Sequence, residues 1–396
     1  MFTFELDTEA LFEERARQFV NAWGIPARIV ADARARIRDP WSDRPGGWTS
    51  EWAVEAEKAE AQGDWLLAAL CWGAAKFPTI ATPSRAEAYR RQLLAYQALV
   101  PGLPVEFKRR SLSVDGPAGP TSLVAHAFRR RHLQRPGTIF ISGGVDTWKI
   151  ELHRPAMRMA RVTGFTVVAL DNPGTGETEA PISPTADRIV AETIRALAPT
   201  DSGPTGMIGV SFAGLWAAKL GIDGHVDAAI TLGGPVGAQE VPDLHALPNG
   251  MPGILAHACG LTHIPAAEQT DELQHALSLR RQGYFDRAPE SPVLAVNGEH
   301  DHFISRADTT VFASLPSCEA WLIRNSTHCA AEKISTVMPA ALMWMIARMT
   351  NQRRDRIKAA VLKPLAVPAL TDVAGDRANH SHPARPNSQS TIRRLL

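Results

Sequence analysis

Ser211 stands in a sequence typical of an activated serine nucleophile. It follows an apolar run that ends at Val210 and precedes small residues that open an apolar helix. A serine in such a strand-to-helix turn needs small residues two positions away, because strand and helix approach closely there. Gly209 meets this need, and Ala213 stands where the usual Gly-x-Ser-x-Gly pattern has its second glycine. The pattern predicts a nucleophile elbow at the N-terminus of a helix, which favours developing negative charge.

Two other strand ends supply the partners that a serine nucleophile needs, in the order acid and then histidine. Asp301 follows an apolar run that ends at Gly298, and His328 follows the next apolar run along the chain. A serine hydroxyl is a poor nucleophile at neutral pH, so we expect His328 to remove its proton and return it to the leaving group. Asp301 is expected to hold the imidazole tautomer and stabilise the imidazolium. Asp286 and Asp308 remain alternative acids.

A glycine pair at a further strand end predicts an oxyanion hole. The apolar run that begins at position 137 ends in Gly143, Gly144 and Val145. Glycine lets the backbone turn sharply and aim its N–H groups at a substrate oxygen. The expected donors are the N–H of Phe212 and a second N–H near Gly144 or Val145. The alternative is a plain glycine turn after a strand.

The sequence signals for a metal or a cofactor site are weaker than those for a serine nucleophile. His300 and His302 flank Asp301, but adjacent side chains diverge and no further ligand cluster completes a metal site. Cys329 lacks a separate base and an elbow, so a packed thiol is expected. The glycines of 171–176 lack the Gly-Lys-Ser/Thr of a phosphate loop, and no dinucleotide fingerprint follows the first strand. We expect neither a metal nor a cofactor, and interpret 171–176 as a structural loop.

The elements that must position these residues follow from periodicity. Short, nearly continuous apolar runs alternate with helical stretches, as in a parallel sheet covered on both faces. Two antiparallel strands joined by a turn at 115–120 precede them. The sequence therefore predicts an α/β fold with a mostly parallel central sheet and helices on both faces. The apolar runs are 137–142, 165–170, 205–210, 226–232, 291–297 and 319–324.

The first part of the chain, 1–104, has the three-or-four-residue spacing of helices throughout. It also contains six of the ten tryptophans. Packing between helices is the simpler explanation for them. The alternative is that one or two line a pocket above an active site. These tryptophans are Trp23, Trp41, Trp48, Trp52, Trp65 and Trp72.

The rest of the chain divides at two further points. Residues 105–365 form the predicted sheet domain, with an insertion at 239–285 that is a candidate lid. His257 and His263 belong to that insertion, so we expect them to line a lid or face solvent rather than act as bases. The stretch 366–396 is polar and poor in large apolar residues, which predicts a flexible tail.

Composition narrows the class of protein. The chain has 396 residues, 45% hydrophobic and 21% charged, and a net charge of +1. That charge argues against a broad nucleic-acid footprint, which needs clustered excess Lys and Arg. Its four cysteines show no CxxC spacing, which suits a reducing cytoplasm. No secretory signal and no run of about 18 apolar residues is present, so we expect a cytoplasmic protein without a membrane partner.

Several motifs together resemble the FrsA-type branch of the α/β hydrolases. That branch includes 2,6-dihydroxypseudooxynicotine hydrolase and polyketide-shortening hydrolases. The string Gly143–Glu151 is more diagnostic than the elbow itself. Ala213 and the polar tail depart from the family pattern without affecting the three candidate catalytic residues. The matching motifs are GDWLLAALCWGAAKF, SGGVDTWKIE, DNPGTGE, GVSFAG, NGEHDHF and NSTHCA.

The resemblance implies an α/β-hydrolase fold in which residues 1–104 cap the sheet and the active site lies between the two. It implies a Ser211–His328–Asp301 triad and an oxyanion hole at 144–145. Members cleave esters, or a carbon–carbon bond next to a ketone, so a small carbonyl substrate is expected. Family members are often homodimers. An acyltransferase or cyclase that uses the same acyl-enzyme, and a catalytically silent binding protein, are the alternatives.

Overall fold

The computed structural model describes residues 1–239 and 244–366. Helices fill the N-terminal region, as its periodicity predicts. Part of the candidate lid, 240–243, and all but the first residue of the predicted tail lie outside the described residues. The N-terminal helices are α1 (Thr8–Arg17), a π-helix (Gln18–Trp23), α2 (Ala27–Arg36), α3 (Trp48–Ala61), α4 (Trp65–Lys76) and α5 (Pro83–Leu99).

Short polar side chains begin several of these helices. The Asp7 carboxylate accepts hydrogen bonds from the backbone N–H groups of Glu9 and Ala10, at 2.8 and 3.0 Å. The Thr82 hydroxyl accepts one from the N–H of Arg85 at the start of α5, at 3.4 Å. These side chains satisfy donors that the first turn of a helix leaves without a carbonyl partner. The local sequence therefore fixes where α1 and α5 begin.

Aromatic side chains hold the N-terminal helices together. Trp48 and Trp52 are fully buried, and their ring centroids lie 4.8 and 6.5 Å from that of Phe12. The ring of Phe19 lies 4.8 Å from that of Trp23. Each such pair contributes about 0.5–1.5 kcal/mol beyond the burial of its area. The prediction that these three tryptophans pack between helices is confirmed.

One sheet of eight strands forms the centre of the part that the structure describes. Its order is β1-β2-β4-β3-β5-β6-β7-β8, with antiparallel pairing only of β2 to β1 and β4. The predicted mostly parallel sheet is confirmed. The strands are β1 (Glu106–Gly116), β2 (Gly119–Arg129), β3 (Thr138–Ser142), β4 (Thr166–Leu170), β5 (Thr205–Val210), β6 (Ala228–Leu232), β7 (Val293–Gly298) and β8 (Glu319–Ile323).

The hairpin of β1 and β2 turns more tightly than the sequence predicts. Pairing continues to Gly116 opposite Gly119, so only two residues form the turn instead of the six at 115–120. Gly119 adopts a φ of 115°, which a residue with a side chain rarely does, and this freedom permits the short connection. The strands themselves are where the sequence predicts them.

Helices cover the sheet and fill the insertion between β6 and β7. No helix among the described residues has both the length and the apolar character needed to cross a membrane. The remaining α-helices are α6 (His153–Thr163), α7 (Asp187–Leu197), α8 (Ala213–Ile222), α9 (Met251–Ala258), α10 (Ala267–Leu277), α11 (Arg306–Thr310), α12 (Ile334–Thr350) and α13 (Arg353–Ala366). Shorter 3-10 segments are Val100–Gly102, Thr200–Ser202, Leu244–Ala246, Tyr284–Asp286, Val311–Ser314 and His328–Lys333.

The carboxyl ends of the parallel strands lie along one edge of the sheet. The strands β3, β5, β7 and β8 end there at Ser142, Val210, Gly298 and Ile323. In open α/β sheets, ligands bind outside this edge. The chain changes from helices to strands between α5 and β1, close to residue 104, while the division into a cap and a catalytic domain stays a prediction.

Candidate active site

Ser211 lies in a strained turn between β5 and α8. Its φ is 54°, a left-handed value that costs energy for any residue with a side chain. A Cβ at Gly209 would overlap the carbonyl oxygen of Ala213, so strand and helix leave no room for a larger residue there. The backbone N–H of Ser211 donates to the carbonyl of Leu232 at 2.7 Å. The predicted elbow geometry is present, and it exposes the serine hydroxyl at the sheet edge.

His328 joins Ser211 to Asp301 in one hydrogen-bonded chain. The His328 Nε2 atom lies 2.9 Å from the Ser211 Oγ, and its Nδ1 atom lies 2.7 Å from the Asp301 Oδ2. The Asp301 carboxylate also accepts from the N–H of Phe303 and from Asn297, both at 2.8 Å. These bonds fix the carboxylate, which in turn orients the imidazole. The three sequence-predicted side chains therefore meet at the sheet edge.

Neither of the two alternative acids is hydrogen-bonded to His328 in the described part of the chain. Asp286 is exposed. Asp308 is buried, and its carboxylate accepts from the backbone N–H of Ala238 at 2.6 Å. Burial raises the pKa of Asp308 to about 7. Asp301 is thus the acid that the structure places on His328.

The groups around His328 favour the positively charged form of its imidazole. Burial alone lowers the pKa of His328, but Cys329 and the Asp301 carboxylate outweigh burial and raise it well above the ordinary histidine value. Burial alone raises the pKa of Asp301, but His328 and the N–H of Phe303 bring it below the ordinary value. Asp301 therefore stays ionised, and it stabilises a positive charge on His328.

The glycine turn after β3 approaches Ser211 closely. A Cβ at Gly144 would lie 3.0 Å from both the Cβ and the Oγ of Ser211, so the backbone itself faces the hydroxyl. Val145 and Phe212 border the same cavity as Ser211. Among residues 1–239 and 244–366, no acceptor takes the backbone N–H of Val145 or of Phe212. The predicted oxyanion donors are thus brought together, and their role stays a prediction.

A cavity of about 130 Å³ opens beside the serine and the histidine. One wall is apolar and comes from α8, α9, α10 and the segment before α9. The candidate lid therefore contributes most of this wall. The six leucine and methionine side chains are Leu215, Leu247, Met251, Leu255, Leu273 and Leu277.

Comparisons with known proteins identify the family of the chain. A model of the family described as FrsA-like, "Esterase FrsA-like", matches residues 19–350. The chain belongs to the FrsA-like esterase family. Esterase FrsA of Photobacterium profundum is 23% identical over 312 residues, which cover 70% of this chain and 72% of the relative. Esterase FrsA of Yersinia pestis (strain Pestoides F) is 24% identical over 304 residues, 68% and 69% of the two chains.

Solved structures show the same fold. AbyA5 wild type has a TM-score of 0.69 and 22% identity, and the match covers 89% of this chain and 98% of AbyA5. The 2,6-dihydroxy-pseudo-oxynicotine hydrolase has a TM-score of 0.64 and 18% identity, with the same two coverages. The predicted α/β-hydrolase fold and the predicted family are confirmed. This FrsA-like protein is an esterase or hydrolase of the α/β-hydrolase superfamily.

The family string Gly143–Glu151 ties the glycine turn to the N-terminal helices. The buried Glu151 carboxylate accepts from Gln92 of α5 at 2.7 Å and from the N–H of Trp148 at 2.7 Å. Lys76 of α4 lies 3.5 Å from Glu151 and 3.3 Å from the centre of the Trp148 ring. Burial of the lysine and the glutamate together is tolerable only because each compensates the other. The string thus holds the glycine turn after β3 against two helices.

Sequence reasoning missed a charged wall of the cavity. Arg15 of α1 and Asp146 border the cavity together with Ser211, and both are buried. The Arg15 Nη2 atom lies 3.0 Å from the Asp146 Oδ2 and 3.1 Å from the Glu14 Oε1. Gln18 extends the cluster by donating to the hydroxyl of Thr147 at 2.6 Å.

No spacing signal in α1 marks Arg15, since charged residues are common on an amphipathic helix and the same turn carries Arg17. Asp146 lies within the diagnostic string 143–151, so its position there is the one signal that could have pointed to it. Its side chain completes the contact between α1 and the glycine turn.

The other residues weighed from the sequence lie away from the reacting atoms. His257 stacks on Phe2 at 4.2 Å, and its Nε2 lies 2.8 Å from the Phe2 carbonyl. It therefore packs, half-buried, against the N-terminus from within the insertion. His263, His300 and His302 are exposed. Within the described ranges, no group of three His, Cys, Asp or Glu side chains is arranged to hold a metal ion.

Cys329 is a packed thiol. Its Sγ donates to the carbonyl of Leu232 at 3.2 Å, and its backbone N–H donates to Asn297 at 3.0 Å. Asn297 also donates to Asp301. The residue after the histidine therefore anchors the histidine loop to β6 and β7.

Proposed function

We propose that this protein is a serine hydrolase that cleaves an ester, or a carbon–carbon bond next to a ketone, in a small hydrophobic or aromatic carbonyl substrate. The observation that carries the proposal is the chain of two hydrogen bonds from Ser211 through His328 to Asp301, 2.9 and 2.7 Å long. Its serine hydroxyl lies on the wall of a cavity that is mostly apolar. Membership of the FrsA-like family supports hydrolytic chemistry.

The proposed reaction has two halves. His328 takes the hydroxyl proton as the Ser211 oxygen adds to the substrate carbonyl carbon. The N–H groups of Phe212 and Val145 stabilise the resulting oxyanion. As the tetrahedral adduct collapses, His328 gives the proton to the departing alkoxide or carbanion, which leaves an acyl-enzyme. A water molecule, deprotonated by His328, then releases the acid and restores the serine.

The cavity favours an uncharged group of limited size. A cavity of about 150 Å³ lined by apolar side chains holds one benzene molecule, and the cavity here is about 130 Å³. Its charged wall already pairs Arg15 with Asp146 and Glu14. A charged substrate group there would compete with Arg15, Asp146 or Glu14 for its ion-pair partner. The substrate part in the cavity is therefore a neutral acyl or aryl group of about the size of a phenyl ring.

Substituting Leu255 of α9 tests this assignment. Leu255→Trp fills part of the cavity, so kcat/KM for p-nitrophenyl benzoate is expected to fall about tenfold or more, while that for p-nitrophenyl acetate changes about twofold or less. The measurement is the ratio of the two kcat/KM values. Leu94→Trp, at a half-exposed position of α5, is the matched control. An unchanged ratio in Leu255→Trp would show that the acyl group lies elsewhere.

Covalent labelling tests the proposed function directly. A fluorophosphonate probe reacts with activated serines, and we expect intact-mass spectrometry to show a single adduct on the wild-type protein. The Ser211→Ala variant should show none, while its circular dichroism spectrum stays that of the wild type. No adduct on the folded wild-type protein would contradict a working Ser211–His328–Asp301 triad and favour a binding role for the same cleft.

A further inference from the structure

A second groove lies at the opposite edge of the sheet from Ser211. It has a volume of about 410 Å³ and runs between the loop before β3, the end of α6, and the helices α12 and α13. Leu133 and Val162 line it, and they precede the starts of β3 and β4 at Thr138 and Thr166. Parallel strands place their amino ends at the edge away from the active site. We call this feature the basic groove.

The walls of the basic groove concentrate positive charge. Three of the segments that contribute to the walls, 128–137, 153–164 and 351–363, contain twelve Lys and Arg residues and one acid, Asp355. Four of these cations line the groove itself: Arg130, Arg135, Arg354 and Lys358. That acid is buried and pairs with Arg135 at 2.7 Å. The whole chain has 42 Lys and Arg against 41 Asp and Glu, which leaves 30 cations and 40 acids for all other residues. These segments therefore carry a strong excess of positive charge, although the net charge of the whole chain is +1.

Four large apolar side chains on these segments are exposed to solvent. Leu133 is 79% exposed, Val162 69%, Ile357 55% and Val361 65%. They are four of the nine large hydrophobic residues that are exposed among the described residues. On α13, the positions 354, 357, 358 and 361 fall on one side of the helix. Apolar residues that cluster on an exposed surface mark a site of interaction.

We propose that the face around the basic groove docks onto an anionic lipid bilayer, in contrast to the expectation from composition that the protein has no membrane partner. Cations near the anionic surface supply the long-range attraction, and exposed Leu, Val and Ile side chains enter the boundary between headgroups and acyl chains. A nucleic-acid backbone would satisfy the cations but leave these four side chains in water. The combination of charge and projecting apolar side chains therefore favours a lipid surface.

Docking in this way leaves the active site free. Ser211 and the cavity lie at the carboxyl edge of the strands, whereas the basic groove lies at their amino edge. The reaction with a small soluble ester needs no bilayer in this arrangement. Variants of the groove are therefore expected to hydrolyse such an ester at the wild-type rate, which also reports that they are folded.

Vesicle sedimentation tests the proposal with the full chain. We expect the wild-type protein to pellet at low salt with vesicles of phosphatidylcholine and phosphatidylglycerol in equal parts, but not with phosphatidylcholine alone or at high salt. The double variant Arg130→Gln/Lys358→Gln should bind about 25-fold more weakly, because each cation near such a surface contributes a factor of roughly five. The double variant Leu133→Ser/Ile357→Ser should lose about tenfold or more in vesicle affinity.

Control variants change the same residue types outside the groove. Arg28 is exposed on α2 and Leu94 is 48% exposed on α5, so Arg28→Gln and Leu94→Ser should bind vesicles like the wild type. The proposal is overturned if the wild-type protein does not bind anionic vesicles at low salt, or binds neutral ones equally. It is also overturned if Leu133→Ser/Ile357→Ser binds like the wild type and a DNA duplex displaces the vesicles. That outcome would identify a general polyanion site.

Discussion

Ser211→Ala is expected to lower kcat for p-nitrophenyl butyrate by about 10⁵-fold or more, since it removes the atom that forms the proposed covalent intermediate. The fold should tolerate the change. Alanine is smaller than serine and inherits the same backbone, so the free energy of unfolding should change by about 1 kcal/mol or less. Turnover and urea unfolding are the two measurements. A kcat within about tenfold of the wild type would place the nucleophile elsewhere.

A second substitution at the same position separates chemistry from strain. Ser211 adopts a φ of 54°, which is unfavourable for serine and for alanine but not for glycine. Ser211→Gly should therefore be as inactive as Ser211→Ala and yet unfold at the same temperature as the wild type or above it. A clearly lower unfolding temperature for Ser211→Gly than for Ser211→Ala would contradict backbone strain at this position.

Asp301→Asn is expected to lower kcat by about 10⁴-fold, because the amide cannot stabilise the imidazolium and favours the wrong imidazole tautomer. Asp308→Asn is the matched control. Asp308 is also a buried aspartate on the cavity wall, but its carboxylate binds the N–H of Ala238 rather than His328. We expect kcat to fall about tenfold or less in Asp308→Asn. Equal losses of kcat in the two variants would contradict the proposed role of Asp301 as the acid that orients and stabilises His328.

The pH profile gives an independent test of the same pair. The neutral imidazole of His328 is the proposed base, so kcat/KM should rise with pH through its pKa. Burial lowers that pKa, but Cys329 and Asp301 raise it above the ordinary histidine value. The acid limb, which is the part of the profile where kcat/KM rises with pH, should therefore lie at a correspondingly high pH in the wild type. Asp301→Asn removes the carboxylate that helps to raise this pKa, so the acid limb of its residual activity should move to lower pH. A limb that stays in place would indicate that another group titrates.

Local sequence rules were sufficient for most of the fold and for the reacting atoms. Each apolar run ends where a parallel strand ends, and Ser211, Asp301 and His328 each follow such an end. Because the carboxyl ends of parallel strands share one edge, the three side chains had to approach one another. The small residues Gly209 and Ala213 predicted the elbow because strand and helix must approach closely there. The structure shows this close approach at Gly209.

Features that depend on contacts between distant segments were not predictable in this way. Arg15 meets Asp146 across more than a hundred residues, and nothing in the periodicity of α1 selects one arginine over its neighbours. The charge of the basic groove comes from three segments that are far apart in the chain, so a net charge of +1 conceals it. His257 packs on Phe2, a contact that needs the N-terminus to return to the insertion.

The contact of α1 with the cavity has a consequence for how the protein responds to ligands. Arg15 belongs to the N-terminal helices and Asp146 to the turn that follows β3, and both border the space beside Ser211. A molecule held in that space touches both parts, so its binding energy also resists their separation. At a hundred times its dissociation constant, such a molecule adds about 2.7 kcal/mol to the cost of unfolding. A tight inhibitor that occupies this space should therefore also hold α1 against the turn after β3.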